Sequence, residues 1–231
     1  LEGADSDAVA FTDKTTNSNV TQIFHHEVKV SRSHEKLSQY GITSEMAYQG
    51  DKAIPEMMRL LELGLFKNKA LAAGSATTPR IMGGLQAFIT THVFSGASLA
   101  QSTIENALMS CYIAGATGPW KGICNPVVMQ KIKNLYDSTT ILRVDRSETT
   151  VGMEITRVHT PFGDLDLVMD RWVPTTLLPI IHEKDAGFLT YDPFFQEPLA
   201  KAGDFEKSQL VGEFTFALRL EKAHALLTAV S

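Results

Sequence analysis

The chain has 231 residues, 44% of them hydrophobic and 20% charged, the balance of a soluble globular protein with ample length for a core. A formal net charge of -5 excludes broad, nonspecific attraction to nucleic acid, and two cysteines exclude a disulfide framework and favour a reducing compartment. No run of some 18 apolar residues is present to span a membrane.

In chain order, Leu1 stands first where Met is usual, without a basic-then-apolar leader, so a segment upstream is expected to have been cleaved or deleted. Residues 1–19 are acidic, small and polar, which predicts a loosely held segment. From Val20 to Val30 the apolar residues Val20, Phe24, Val28 and Val30 fall on even positions, with Ile23 the exception, as in a half-buried strand. Asn19-Val20-Thr21 spells a glycosylation sequon, read as chance in a chain with no secretory leader. Ser31 to Tyr40 is polar and Gly41 ends it. The longest periodic stretch follows, from Ser44 to about Ala72. Met46/Ala47, Ala53/Ile54, Met57, Leu61 and Gly64/Leu65 recur there at three-and-four spacing, the mark of one helical face. Ser44 is placed to cap its start, and Lys67 and Lys69 suit its negative end. Such a helix spans about 40 Å. Pro55 cannot donate to the carbonyl one turn back, which predicts a bend.

Gly74–Pro79 reads as a loop, and Met82-Gly83-Gly84-Leu85 leads into a strand-like Ala87–Phe94. Ser98 to Gly115 reads as a second amphipathic helix, with Leu99, Ile104, Leu108 and Cys111/Tyr112 on one side and Gly115 as its stop. Trp120–Cys124 has the look of a short buried strand. Asn125-Pro126 then supplies an N-cap and a first-turn proline for a helix to about Tyr136. Val151, Met153 and Ile155 alternate, Thr160-Pro161-Phe162-Gly163 turns, and Leu165, Leu167 and Met169 alternate back, which predicts a hairpin. Leu177–Ile181 and Phe188–Tyr191 are further short strands. Leu210–Leu220 is the clearest strand of all, and Ala223–Val230 closes the chain. Helices and strands do not alternate as a βαβ series, so the class is α+β.

Chemistry is sparse. Gly96-Ala97-Ser98-Leu99-Ala100 is one residue away from the G-x-S-x-G elbow of a small serine hydrolase, with Ser98 as nucleophile and Asp170 and His182 or His224 as partners. Such an elbow follows several strand–helix units, which the first hundred residues lack, so Ser98 is better read as a helix cap. His25, His26, Glu27, His34 and Glu35 are the densest set of candidate metal ligands. Neighbours on a strand point to opposite faces, so solvated side chains on an arm are expected there, not a metal-binding module built on His26 or His34. Gly115–Gly122 lacks the spacing of a phosphate loop, and Pro119 removes a donor that such a loop uses. No catalytic, cofactor or metal residue is assigned.

Five runs carry a family likeness: NVTQIFHHEVKVSRS at 19–33, QYGITSEMAYQ at 39–49, MGGLQAFITT at 82–91, FGDLDLVMDRWVP at 162–174 and EPLAKAGDFEKSQLVGEFTFAL at 197–218. In content and order they resemble the major capsid (major head) proteins of tailed bacteriophages with the Hong Kong 97-like fold. The resemblance implies an extended loop in residues 1–41, a peripheral domain with a long spine helix in 42–97, an axial domain in 98–150 and a β-rich return in 151–231 shared between the two. It implies a structural protein, not an enzyme, that self-assembles through pentamers and hexamers into an icosahedral head shell in the host cytoplasm. That shell would enclose double-stranded DNA without sequence-specific binding, meet a portal and decoration or scaffolding proteins, and involve no membrane. An encapsulin-like nanocompartment, holding protein cargo, would use the same fold. Lys29 and Lys36 lie in the loop region but carry no crosslinking motif. On physical grounds the half-apolar strand at 20–30 is expected to find its partner on a sister subunit.

Overall fold

The computed structural model describes residues 15–37, 40–95, 99–137 and 157–229. The period-two stretch forms β1 (Gln22–Ser31), which runs into a single helical turn, α1 (Arg32–Lys36). The long amphipathic stretch forms α2 (Glu45–Lys67), continuous through Pro55. Its start is fixed twice over. Ser44 accepts from the Ala47 amide, and Glu35 accepts from the Ser44 hydroxyl at 2.7 Å and from the Met46 amide at 3.0 Å. Those hydrogen bonds hold the Glu35 carboxyl below its ordinary value. α3 (Leu85–Phe88), β2 (Val93–Phe94), α4 (Gln101–Ile113), β3 (Trp120–Cys124) and α5 (Pro126–Asp137) follow. Gly115, at φ +95°, ends α4 by letting the Ala116 amide turn back to the Cys111 carbonyl. Asn125 caps α5 through the Val127 amide, as its Asn-Pro start predicts. The remainder is β4 (Arg157–Thr160), β5 (Gly163–Met169), β6 (Leu177–Ile181), β7 (Ala186–Leu199), β8 (Phe205–Leu218) and β9 (Ala225–Thr228). Short 3-10 turns at Glu183–Asp185 and Glu221–Ala223 precede β7 and β9.

Two sheets result, and the class is α+β. One has the order β1-β8-β7, antiparallel throughout; the other is mixed, in the order β2-β9-β6-β3-β5-β4. α2 lies on the first sheet, where Ala53, Met57, Leu61 and Leu65 meet Phe24, Val28, Leu210 and Phe214 in one core. A second core packs Ile104, Leu108 and Cys111 of α4 and Val128 and Ile132 of α5 against Trp120, Leu165, Leu178 and Ile180 of the mixed sheet. That sheet borders both cores: Leu177 and Leu226 belong to the first, while Leu178, Ile180 and Leu227 belong to the second. With both faces covered, β6 reads as an unbroken apolar run. The two lobes so defined exchange the chain three times, around residues 89–93, 181–186 and 218–225.

Three expectations need correction. β1 does not await a sister molecule for its apolar face: it pairs with β8 in unbroken register, and Phe24, Val28 and Val30 are buried under α2 of the same chain. β8 arrives from nearly two hundred residues downstream, a pairing that no local pattern announces. Ala87–Phe94 is not one strand: Ala87 and Phe88 belong to α3, which packs at the end of α2, and only Val93–Phe94 is a strand. Gln86 Nε2 donates to the Phe66 carbonyl at 2.6 Å, and Asn68 Nδ2 to the Met82 carbonyl at 2.8 Å. Within the first nineteen residues, expected to be loosely held, Asn19 is tied down. The Asn19 side chain donates to the Gly83 and Phe216 carbonyls and accepts from the Gly83 amide, which also occupies the nitrogen that a glycan would need. Val151–Ile155 lies outside the described residues; the turn and the returning arm of that hairpin are β4–β5.

Close approach of Gly84 to the end of α2 yields a sharp test. A Cβ there would stand 2.3 Å from the Leu65 carbonyl oxygen and 2.7 Å from that of Gly64, both rigid backbone. At Gly64 the added carbon would meet only the flexible Cε of Met82, at 2.9 Å. Gly84→Ala should therefore lower the melting temperature by roughly 10 °C and Gly64→Ala by no more than about 3 °C, as read by scanning fluorimetry.

Candidate assembly surface

Gly96, Ala97 and Ser98 lie outside the described residues, but the groups proposed to serve Ser98 are placed, and each has other employment. Asp170 accepts from the Trp172 amide at 2.8 Å and shapes the turn after β5. His182 Nδ1 pairs with Asp185 Oδ2 at 2.6 Å. His224 is fully buried, accepting from the His182 amide and bonding the Arg219 carbonyl. The histidines near the start behave as alternation dictates. His25 points outward, whereas His26 faces Glu56 of α2 at 3.8 Å. His34 approaches Glu45 at 4.0 Å, and Glu35 is consumed in capping α2. Among the described residues no three His, Cys, Asp or Glu side chains converge in a metal site.

Cys111 and Cys124 are free thiols in the second core. Burial pushes the Cys111 thiol up to about 12, with the Glu221 charge adding to it, and burial pushes Cys124 up to about 11. Neither forms an appreciable thiolate near neutrality. Both should resist alkylation by iodoacetamide at pH 8 in the native protein and react fully in denaturant, as counted by intact mass.

What the surface does offer is the three-stranded sheet, whose two borders differ. β7 carries Pro193 and Pro198, which cannot donate, and its register with β8 breaks between Thr190 and Asp192 and again between Asp192 and Phe195. Proline and bulges are the usual means of blunting a sheet edge. β1 has neither over its ten residues, and no described strand covers its outer side. Beside it runs a cleft of about 750 Å³ between Lys29, Val30 and Ser31 of β1 and Gln49, Lys52 and Glu56 of α2. β7, for its part, turns apolar side chains to water: Leu189 is 57% and Tyr191 78% exposed. Phe188–Tyr191, expected as a short strand, lies within the longer β7, and exposed apolar side chains of this kind are the usual mark of a contact surface.

A long helix on an antiparallel sheet, joined through a mixed sheet to a second α/β core, is the fold of Hong Kong 97-like capsid proteins. The cyanophage A-1(L) capsid asymmetric unit is similar with a TM-score of 0.67 at 12% identity, over 90% of this chain and 77% of that one. The satellite phage P4 procapsid that includes the size determination protein gives 0.64 at 10%, over 99% and 76%. The holo-SrpI encapsulin complex from Synechococcus elongatus gives 0.64 at 11%, over 92% and 75%. At such identities the likeness is one of fold, and it defines the class: the Hong Kong 97-like fold. Within that class the sequence match is definite. Residues 1–231 match the SU10 major capsid protein family, and the chain belongs to it: a major capsid protein of a tailed phage. No curated protein matches it in sequence.

Proposed function

We propose that this chain is the self-assembling subunit of an icosahedral phage head, which closes through pentamers and hexamers around double-stranded DNA. The observation that carries the reading is the unlike pair of borders on the β1-β8-β7 sheet: an edge at β1 that no described strand covers and an exposed apolar strip at β7. Unlike surfaces on one molecule favour head-to-tail contacts, and such contacts repeated about an axis close into rings. Each stable contact buries on the order of 1,000 Å² or more. Residues 1–41 then serve as the extended loop, of which Gln22–Ser31 is anchored in the subunit's own sheet. α2 is the spine of a peripheral domain over 42–97, residues 98–150 form the axial domain, and 151–231 return through both.

The protein acts by shape and carries no catalytic activity. Its net charge of -5 suits a container that holds DNA without gripping a sequence. Portal, decoration and scaffolding proteins are its remaining partners, and assembly takes place in the host cytoplasm without a membrane. Likeness to an encapsulin favours a second reading, a nanocompartment with protein cargo, which shares the shell and differs in its contents.

Electron microscopy and sedimentation of the purified chain test this directly. Uniform closed particles are expected, and a species that remains monomeric at every concentration overturns the proposal. Leu189→Ser with Tyr191→Ser should cut particle yield about tenfold, the loss of roughly 1.4 kcal/mol per contact. As both side chains already face water, the melting temperature of the free subunit should stay within about 2 °C.

A further inference from the structure

Where the chain passes between its lobes, the three crossings are tied to one another. Glu221, in the turn before β9, accepts from the Thr90 and Thr91 amides at 2.8 and 2.7 Å and from the Thr91 hydroxyl at 2.8 Å. The Arg219 amide donates to the Asp185 carbonyl at 2.7 Å. His224 completes the lacing, with Nδ1 accepting from the His182 amide at 3.1 Å and Nε2 standing 3.0 Å from the Arg219 carbonyl oxygen. These partners dictate the state of the ring. A backbone N–H can only donate, so Nδ1 must be bare; a carbonyl can only accept, so Nε2 must hold the hydrogen. The neutral ring satisfies both. An imidazolium would turn a second N–H against the His182 amide and lose that bond.

We propose that His224 is an acid-sensitive latch on the joint between the two lobes: proton uptake at Nδ1 unties the crossing at 181–186 from that at 218–225 and loosens the joint before either core. The ionisable groups that face the ring are His182 and Asp185 from the β6–β7 crossing and Glu221 from its own turn. Behind Glu221 stand His92 of the first crossing and Cys111 of α4. Burial is the largest influence on His224 and opposes the charge, as does His182; Asp185, Glu221 and the bond to Arg219 favour it, and the balance holds the ring below its ordinary value. Asp185 is already engaged by the His182 ring. A cleft of about 550 Å³ lined by Thr117, His182, Asp185, Leu220 and Glu221 brings solvent to the joint.

The sign follows from linkage. The unfolded chain takes up this proton near pH 6.5 and the folded chain only at lower pH. The latch is therefore at full strength above about pH 6.5 and weakens as the pH falls from there through the folded-state value. All its parts lie within one chain, so it stands apart from the assembly reading.

Hydrogen exchange of the full chain, read by mass spectrometry at pH 7.0 and 5.5 and corrected for intrinsic rates, tests the latch. Peptides covering residues 181–186 and 218–224 should lose protection about tenfold, as one pH unit of linkage predicts, while peptides from α2 and α4 stay within about twofold. His224→Asn offers Oδ1 where Nδ1 stood and does not titrate, so protection at His182 should become the same at both pH values. Unchanged protection at 181–186 in the native chain overturns the proposal, as does an equal loss in the Asn variant. Should that variant fail to fold, exchange at the imidazole Cε1–H of the native chain reports the titration of His224 itself. Loss of protection that tracks His224 protonation supports the latch, and ring protonation without that loss overturns it.

Discussion

The structure depends on one constraint: the middle strands of the mixed sheet are covered on both faces. Leu177 and Leu226 point toward α2 and the three-stranded sheet, and Leu178, Ile180 and Leu227 toward α4 and α5. A strand with two dry faces cannot be withdrawn from one core without opening the other. Fully burying one such side chain contributes about 1.5–3 kcal/mol, and here a single five-residue strand supplies leucine and isoleucine to both. The lobes are thus one body at this sheet and separate only where three segments of chain leave it.

Those segments show a different kind of cohesion. Carboxylate, imidazole and backbone groups replace apolar contact, and each is satisfied by a specific partner. Polar lacing of this type fixes an angle more sharply than it adds stability, since each net hydrogen bond contributes only about 1 kcal/mol. For a subunit that must sit in a curved wall, the angle between lobes is the quantity that matters. Capping serves the same end in the first lobe. Glu35 and Ser44 at the start of α2, and Asn68 and Gln86 at its finish, hold the helix in register with the sheet beneath.

Local chemistry was legible in the sequence wherever a residue acts on its near neighbours. Ser44, Asn125-Pro126 and Gly115 placed three helix ends, and alternation placed β1, β5 and β8. Failures came where the partner is distant. The apolar face of β1 finds Leu210 and Phe214, and Ala87 and Phe88 join α3 in place of a strand, both choices made by tertiary contact over local propensity. His224 was singled out only as a possible partner of Ser98, and its place at the crossings was not legible. A lone histidine before a short apolar run is ordinary until the fold sets the His182 amide against one nitrogen and the Arg219 carbonyl against the other. The surface was half legible: the Phe188–Tyr191 cluster was plain, but a sequence does not say which side of a strand lacks a neighbour.

The prolines of β7 have a consequence for the subunit that has not yet met its sisters. Amyloid growth needs a strand that can be templated on one margin and serve as template on the other. Pro193, Pro198 and two register breaks make the β7 margin a poor template for a further strand. Among the described residues β1 is then the margin of this sheet with neither proline nor bulge, and a strand from outside finds its ladder there.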